Sequence, residues 1–278
     1  MYFNTHFINI KINGQEGAGK DYKAKFNVRG YPTVLFFQSN GLEIDRICGY
    51  NGDKSLFYQT VLDYVDGKNT LGSMLAQVNQ SPDDVAANFF LARKYIGRWE
   101  SAEAQPYLEK VLELDPRDAY GHNEECRGYI AVYILRTTGD DQPLIHLLDH
   151  SSDQAHLEEG FNALIRYYQQ KEMQAKLFRA YEQAIQKLPE NTDFMNGYAW
   201  YIYEQKAKDR YEQGIGITRR ALQIKPEAAN IWDTLAWLEF DNGQIDLAIE
   251  HMKKAVELAP QKSGYLENLK KMEQAQKL

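Results

Sequence analysis

Cysteine is almost absent from this chain of 278 residues: Cys48 and Cys126 stand alone, 78 positions apart. They form no Cys-x-x-Cys pair, no disulfide framework and no metal-ligand spacing. Blocks of basic residues are missing too, with nothing longer than pairs such as Arg219-Arg220 and Lys270-Lys271, and the formal net charge is -7. Nucleic-acid binding needs a clustered basic surface to meet phosphates, so no nucleic-acid partner is expected. No apolar run approaches the roughly 18 residues of a membrane span. The opening Met1-Tyr2-Phe3-Asn4-Thr5-His6 has no basic stretch followed by an apolar one, so no signal peptide is read there. The chain as it stands is expected to be cytoplasmic, and exported if an upstream segment carried a signal.

Catalytic constellations are equally scarce. His146 and His150 are spaced i, i+4, but no Glu is placed as in a zinc-protease helix, so they are expected to be surface histidines and no metal is assigned. Gly14-Gln15-Glu16-Gly17-Ala18-Gly19-Lys20 has the spacing of a phosphate-binding loop. The next residue is Asp21, where a Ser or Thr is needed to hold magnesium, and its carboxylate would repel phosphates. A flexible surface loop is the better reading. No cofactor is assigned, and neither cysteine stands at a helix amino terminus where a thiolate would be stabilised.

What the chain has is aromatic residues, 13% of the total with 19 tyrosines, and length enough for about two domains. Residues 1–68 read as a small α+β unit. Phe7 to Ile12 alternates like a short strand, Asn13 to Gly19 is a glycine-rich loop, and Lys20 to Phe26 suits a short helix. Thr33 to Phe37 is a continuous apolar run, the pattern of a strand covered on both faces. Asn40-Gly41 supplies a hairpin turn, and Glu43 to Cys48 the returning strand. Asp53 to Val65 follows as an amphipathic helix with Leu56, Phe57, Val61, Leu62 and Val65 on its apolar side.

This order, with the turn Gly30-Tyr31-Pro32-Thr33 before the apolar strand, resembles the second half of a thioredoxin fold. In that family the proline is cis and faces a Cys-x-x-Cys pair on a preceding helix. Here the helix and a central strand are missing, which would leave the strand at Phe7 without a sheet neighbour. Either the chain is a fragment or late-start version of a longer protein, or it carries a true half-domain kept as a packing element. The first is favoured, because an unpaired apolar strand is costly and prone to aggregate.

Residues 69–84 read as a linker helix, and residues 85–278 carry a repeat. Ala221 and Ala255 lie 34 apart, as do Pro226 and Pro260, and earlier copies close on Leu114-Asp115-Pro116 and Leu188-Pro189. The pattern resembles the tetratricopeptide repeat, a helix pair per 34 residues. Copies start near Val85, Glu158, Thr192 and Ala229, and a degenerate pair with a packed Cys126 spans Asp118 to His150. The turn near Lys206-Ala207-Lys208-Asp209 is about three residues longer than its counterparts. Gly264 to Leu278 suits a polar capping helix. The resemblance implies an all-α solenoid of four to five repeats whose first helices line a groove.

Equivalent groove positions hold Arg93, Arg166, Trp200 and Trp237, then Tyr203 and Phe240 one turn on; Asn162, Asn196 and Asp233 form a third row able to hydrogen-bond an extended backbone. These nine residues are the candidate site for a protein or peptide partner, with apolar contacts at the carboxy-terminal end and the arginines accepting acidic groups. The alternative is that the tryptophans pack between repeats. As a whole the chain resembles bacterial thioredoxin-like proteins fused to tetratricopeptide repeats. It is expected to be a scaffold with a redox-inactive remnant. The second reading is a thiol-disulfide oxidoreductase whose Cys-x-x-Cys part lies outside this chain.

Overall fold

The computed structural model describes residues 2–277, and the chain divides into two compact units, residues 1–133 and 134–278. In the first, α1 (Tyr2–His6) and α2 (Ala18–Lys25) precede the hairpin of β1 (Thr33–Phe37) and β2 (Glu43–Cys48), and α3 (Lys54–Val65) follows. The strands pair antiparallel from Thr33 opposite Cys48 to Phe37 opposite Glu43, with an irregularity at Phe36/Phe37. Gly41 closes the turn at φ 84°, a left-handed conformation that glycine adopts without Cβ strain. Asp53 caps α3 by accepting from the Ser55 and Leu56 amides. Phe36, Val61 and Tyr64 form a small core, with Phe3, Phe7, Ile44, Ile47 and Phe57 packed around it.

Three sequence expectations need correction here. Phe7 to Ile12 is not a strand: it has no regular structure, and Ile8 and Ile10 are 93% and 77% exposed. Alternation alone cannot make a strand where no neighbour offers a hydrogen-bond ladder. β1 is not covered on both faces, since Val34 and Phe37 are exposed. On α3, Leu56 and Val65 also face out, while Tyr64 turns inward with Val61.

The rest of the first unit is helical. Its α4 (Leu71–Gln80) is opened by a capping box between Thr70 and Ser73. Next come α5 (Val85–Gly97) and α6 (Ser101–Leu114), and α7 (Asn123–Thr138) runs on past the unit boundary. Val78 of α4 packs on Ala87 and Leu91 of α5, so the predicted linker helix is a packed one. Cys126 lies in the apolar cluster of Phe89, Ala92, Ala104, Leu108 and Val111.

Charge joins the hairpin to α5. The Asp45 carboxylate on β2 is buried and takes Arg98 at 2.5 Å and Lys94 at 2.6 Å. It also accepts from the Leu71 and Arg46 amides. Arg98 further reaches Glu100 at 2.7 Å and Glu43 at 3.5 Å, and Arg46 pairs with Glu43 at 2.6 Å. Burial opposes the charge on Arg98, yet the carboxylates outweigh it and raise its pKa; for Lys94 burial wins over Asp45 and lowers it.

The second unit carries α8 (Gln142–His150), α9 (Gln154–Gln170) with α10 (Gln174–Lys187), and α11 (Thr192–Glu204) with α12 (Tyr211–Ile224). It ends with α13 (Ala229–Asp241), α14 (Ile245–Leu258) and α15 (Ser263–Ala275). Helices α5, α11 and α13 begin at the residues expected from the repeat, and the longer turn holds a 3-10 turn at Lys208–Arg210. Small residues recur where helices approach: Ala184, Ala221, Ala236, Ala248 and Ala255 are fully buried. Two residues past α5, α9, α11 and α13 the chain turns left-handed, at Trp99, Glu172, Lys206 and Gly243. Only the last is glycine. Exposed Glu172 at φ 54° is therefore strained, and Glu172→Gly is expected to raise thermal stability by roughly 0.5–1 kcal/mol. A calorimetric scan showing no gain would contradict this.

Candidate functional site

The predicted groove residues of α11 and α13 come together as one row of rings. Trp200 lies 5.1 Å from Tyr203, Tyr203 lies 5.5 Å from Trp237, and Trp237 lies 5.9 Å from Phe240, centroid to centroid. The i, i+3 spacing on each helix sets the first and last contacts. The side-by-side packing of α11 and α13 sets the middle one. All four rings are half-buried. Trp237 and Phe240 use part of their surface against the core of α13, α14 and α15, so packing and exposure coexist in them. Lys206 sits 4.1 Å over the Tyr203 ring and pairs with Asp241 at 2.6 Å, a cation–π contact made by the chain on its own aromatic row.

The third predicted row divides. Asn162 is exposed and lines a cleft of about 160 Å³ with Glu158, Ile165, Tyr181, Asn191, Asp193 and Phe194. Asn196 has its Oδ1 buried with no hydrogen-bond partner among the described residues, as has the Thr192 hydroxyl one turn earlier. Unpaired buried acceptors are uncommon, and they are groups a ligand's N–H can satisfy. Asp233 is half-buried and accepts from the Asn268 amide of α15 at 3.1 Å. Burial raises its pKa, against the Asn268 amide, the charge of Lys262 and the Trp237 side chain. Asp233 has no ion pair among the described residues.

The arginines behave differently. Arg166 is exposed on α9 and makes no ion pair among the described residues. Arg93 belongs to the first unit, where it pairs with Glu125 at 3.3 Å and lies 5.7 Å over the Phe89 ring. Its capacity for acidic groups is thus partly taken by its own neighbour.

The turn at Gly30-Tyr31-Pro32-Thr33 packs on the α5–α6 corner. The Tyr31–Pro32 peptide bond is cis. A Cβ on Gly30 would come within 2.5 Å of the Trp99 ring, so only glycine fits that approach. Thr33 donates to the Gly30 carbonyl at 2.8 Å, and Arg29 donates to the Trp99 carbonyl at 2.5 Å. Tyr31 is exposed. Burial pushes the Cys48 thiol up, and pushes Cys126 up to about 12, which disfavours the thiolate at both. His146 and His150 lie with ring centroids 4.3 Å apart, and no group of three metal-ligating side chains occurs among the described residues. No helix among them is long and apolar enough to cross a membrane.

What sequence reasoning missed is the ionic cluster around Asp45. Its members, Glu43, Asp45 and Arg46 on one side and Lys94, Arg98 and Glu100 on the other, are some fifty positions apart and look like ordinary surface charges.

Comparison with known proteins bears on the helical part. The tetratricopeptide repeat family matches residues 229–262, the α13–α14 pair and its following turn. A search of curated protein sequences found no match. Among solved structures, a tetratricopeptide repeat protein from Parabacteroides merdae is 13% identical, with 68% of this chain and 72% of that one covered and a TM-score of 0.50. YrrB, described as a TPR protein with an unusual peptide-binding site, is 12% identical over 71% of this chain and 97% of its own, at a TM-score of 0.49. The first TPR of Spaghetti, solved bound to an HSP90 peptide, is 16% identical over 46% of this chain and 96% of its own, at 0.40. The described helix pairs thus have a tetratricopeptide-repeat fold, with one repeat matched directly at residues 229–262.

Proposed function

We propose that this chain is a protein-interaction scaffold that binds an extended peptide or partner helix along the first helices of its second unit. The residues assigned are Asn162 and Arg166 on α9, Asn196, Trp200 and Tyr203 on α11, and Asp233, Trp237 and Phe240 on α13. The observation that carries this reading is the unbroken row Trp200–Tyr203–Trp237–Phe240, half-buried rings that bring large contact area at small entropic loss. Arg93 lies in the first unit, where Glu125 engages it, and is left out of this assignment. The double variant Trp200→Ala, Trp237→Ala is expected to lose captured partners by tenfold or more in a quantitative pull-down, as removal of interface anchors does. Unchanged capture by a folded double variant would overturn the reading.

The amino-terminal hairpin is, in the same proposal, a thioredoxin-like remnant without redox chemistry. Support comes from the order of turn, β1, β2 and α3, and from two thiols, half-buried Cys48 and buried Cys126, whose pKa burial raises. The second reading, a thiol-disulfide oxidoreductase completed by residues outside this chain, rests on the same order. Insulin reduction separates them for the chain in hand: turnover should not exceed background, and a measurable rate would reverse the assignment.

A further inference from the structure

A carboxylate stands beside the aromatic row without an ion-pair partner among the described residues. We propose that Asp233, with Trp200, Tyr203 and Trp237, forms a seat for a basic side chain, so that the partner of the second unit is an extended peptide presenting an arginine or lysine there. This rests on the groove reading above and names what the groove selects.

The residues around Asp233 make the case. Asn268 from α15 and the Trp237 side chain from α13 both donate to the carboxylate, which with about four lone-pair sites keeps acceptor capacity open. The charge of Lys262 acts on it, but that ammonium lies 5.3 Å over the Tyr265 ring and forms no ion pair with Asp233. Asp233 stands one turn before Trp237 on α13, and this i, i+4 spacing places the carboxylate beside the aromatic row. Tilted rings 5.1–5.5 Å apart offer π faces, and Lys206 over Tyr203 shows that this row already attracts a cation. The cleft beside α9 and α11 adds Glu158 and Asp193, against exposed Arg166 on α9, so complementarity to a basic side chain is local to Asp233 and these carboxylates. A planar guanidinium can stack on indole while donating to a carboxylate, which makes arginine the better fit of the two.

The fold should tolerate the test. Because burial works against the Asp233 charge, Asp233→Asn removes an unfavourable term while keeping the acceptor for Asn268. The probes are oriented libraries of degenerate nonapeptides with the central position fixed as Arg, Lys, Gln or Glu, passed over the immobilised full chain. The wild type should retain the Arg and Lys libraries about tenfold above Gln and Glu, a difference typical of one charge-assisted contact. Asp233→Asn, with an unchanged melting temperature, should reduce that preference to about twofold or less. Trp200→Leu, remote from the α15 contact, should lower retention of the basic libraries as well.

Equal retention of all four libraries by the wild type would overturn the cation seat and leave the groove intact. Preference surviving in Asp233→Asn would overturn it too. Retention of no library would bring down the seat and the peptide groove together.

Discussion

Asp45→Ala is expected to destabilise the amino-terminal unit by about 3–5 kcal/mol, the range for breaking a buried ion pair from one side. The side chain is wholly buried, and two cations, Lys94 and Arg98, meet it with side chains 12% and 8% exposed. Removing the carboxylate leaves Arg98 with Glu100 and Glu43, but leaves Lys94 only the Tyr64 hydroxyl and the Asn69 carbonyl. An ammonium whose charge is already disfavoured by burial then loses the one carboxylate that pairs with it among the described residues. The Leu71 amide at the start of α4 loses its acceptor in the same step. Segment-resolved hydrogen exchange should show β2, α4 and α5 losing protection together, because the cluster ties all three. The control is Asp66→Ala, which breaks an exposed pair with Lys68 and should change stability by less than about 0.5 kcal/mol. If Asp45→Ala falls within about 1 kcal/mol of wild type, the cluster is no more than a set of surface pairs and the hairpin is held to α5 by apolar contact alone.

That cluster also marks where sequence reading stops. The start of α11 at Thr192 and of α13 at Ala229 was legible because buried alanines and chain-breaking prolines recur at a fixed spacing. The limits of β1 and β2 were legible for a local reason as well, an apolar run followed by Asn40-Gly41. The segment from Phe7 to Ile12 shows the opposite case. Its alternation is a strand pattern, but a strand exists only through its neighbours, and none pairs with it among the described residues. Asp45 fails for a related reason: its donors come from Leu71, Lys94 and Arg98, and nothing local distinguishes it from exposed Asp66. Within the groove, repeat register placed the rings of α11 and α13 at equivalent positions. Their union into one row across Tyr203 and Trp237, and the lack of an ion pair at Asp233, needed the packing of α13 on α11 and α15.

The second large effect lies in the helix that carries half of this row. Tyr198→Ala on α11 should cost about 3–5 kcal/mol, as deletion of a fully buried aromatic ring does. The ring meets Tyr181 at 5.8 Å and Phe178 at 6.0 Å, and truncation would leave a cavity between α10 and α11. Tyr198→Phe isolates the hydroxyl. That group donates to Glu182 at 2.7 Å and accepts from Arg210 at 2.9 Å, and burial with Glu182 pushes its pKa up to about 12. Glu182 and Arg210 also bond each other directly at 2.7 Å, and both retain solvent, so neither is stranded when the hydroxyl goes. The expected loss for Tyr198→Phe is therefore about 1 kcal/mol, and the ring accounts for most of the effect. Urea titration of both variants decides this: near-equal losses would mean that the polar network, not the ring, holds α11. The pair also separates fold from recognition. Trp200 and Tyr203 are two and five residues further along the same helix, so Tyr198→Phe should keep peptide retention while Tyr198→Ala loses it only in proportion to the unfolded fraction.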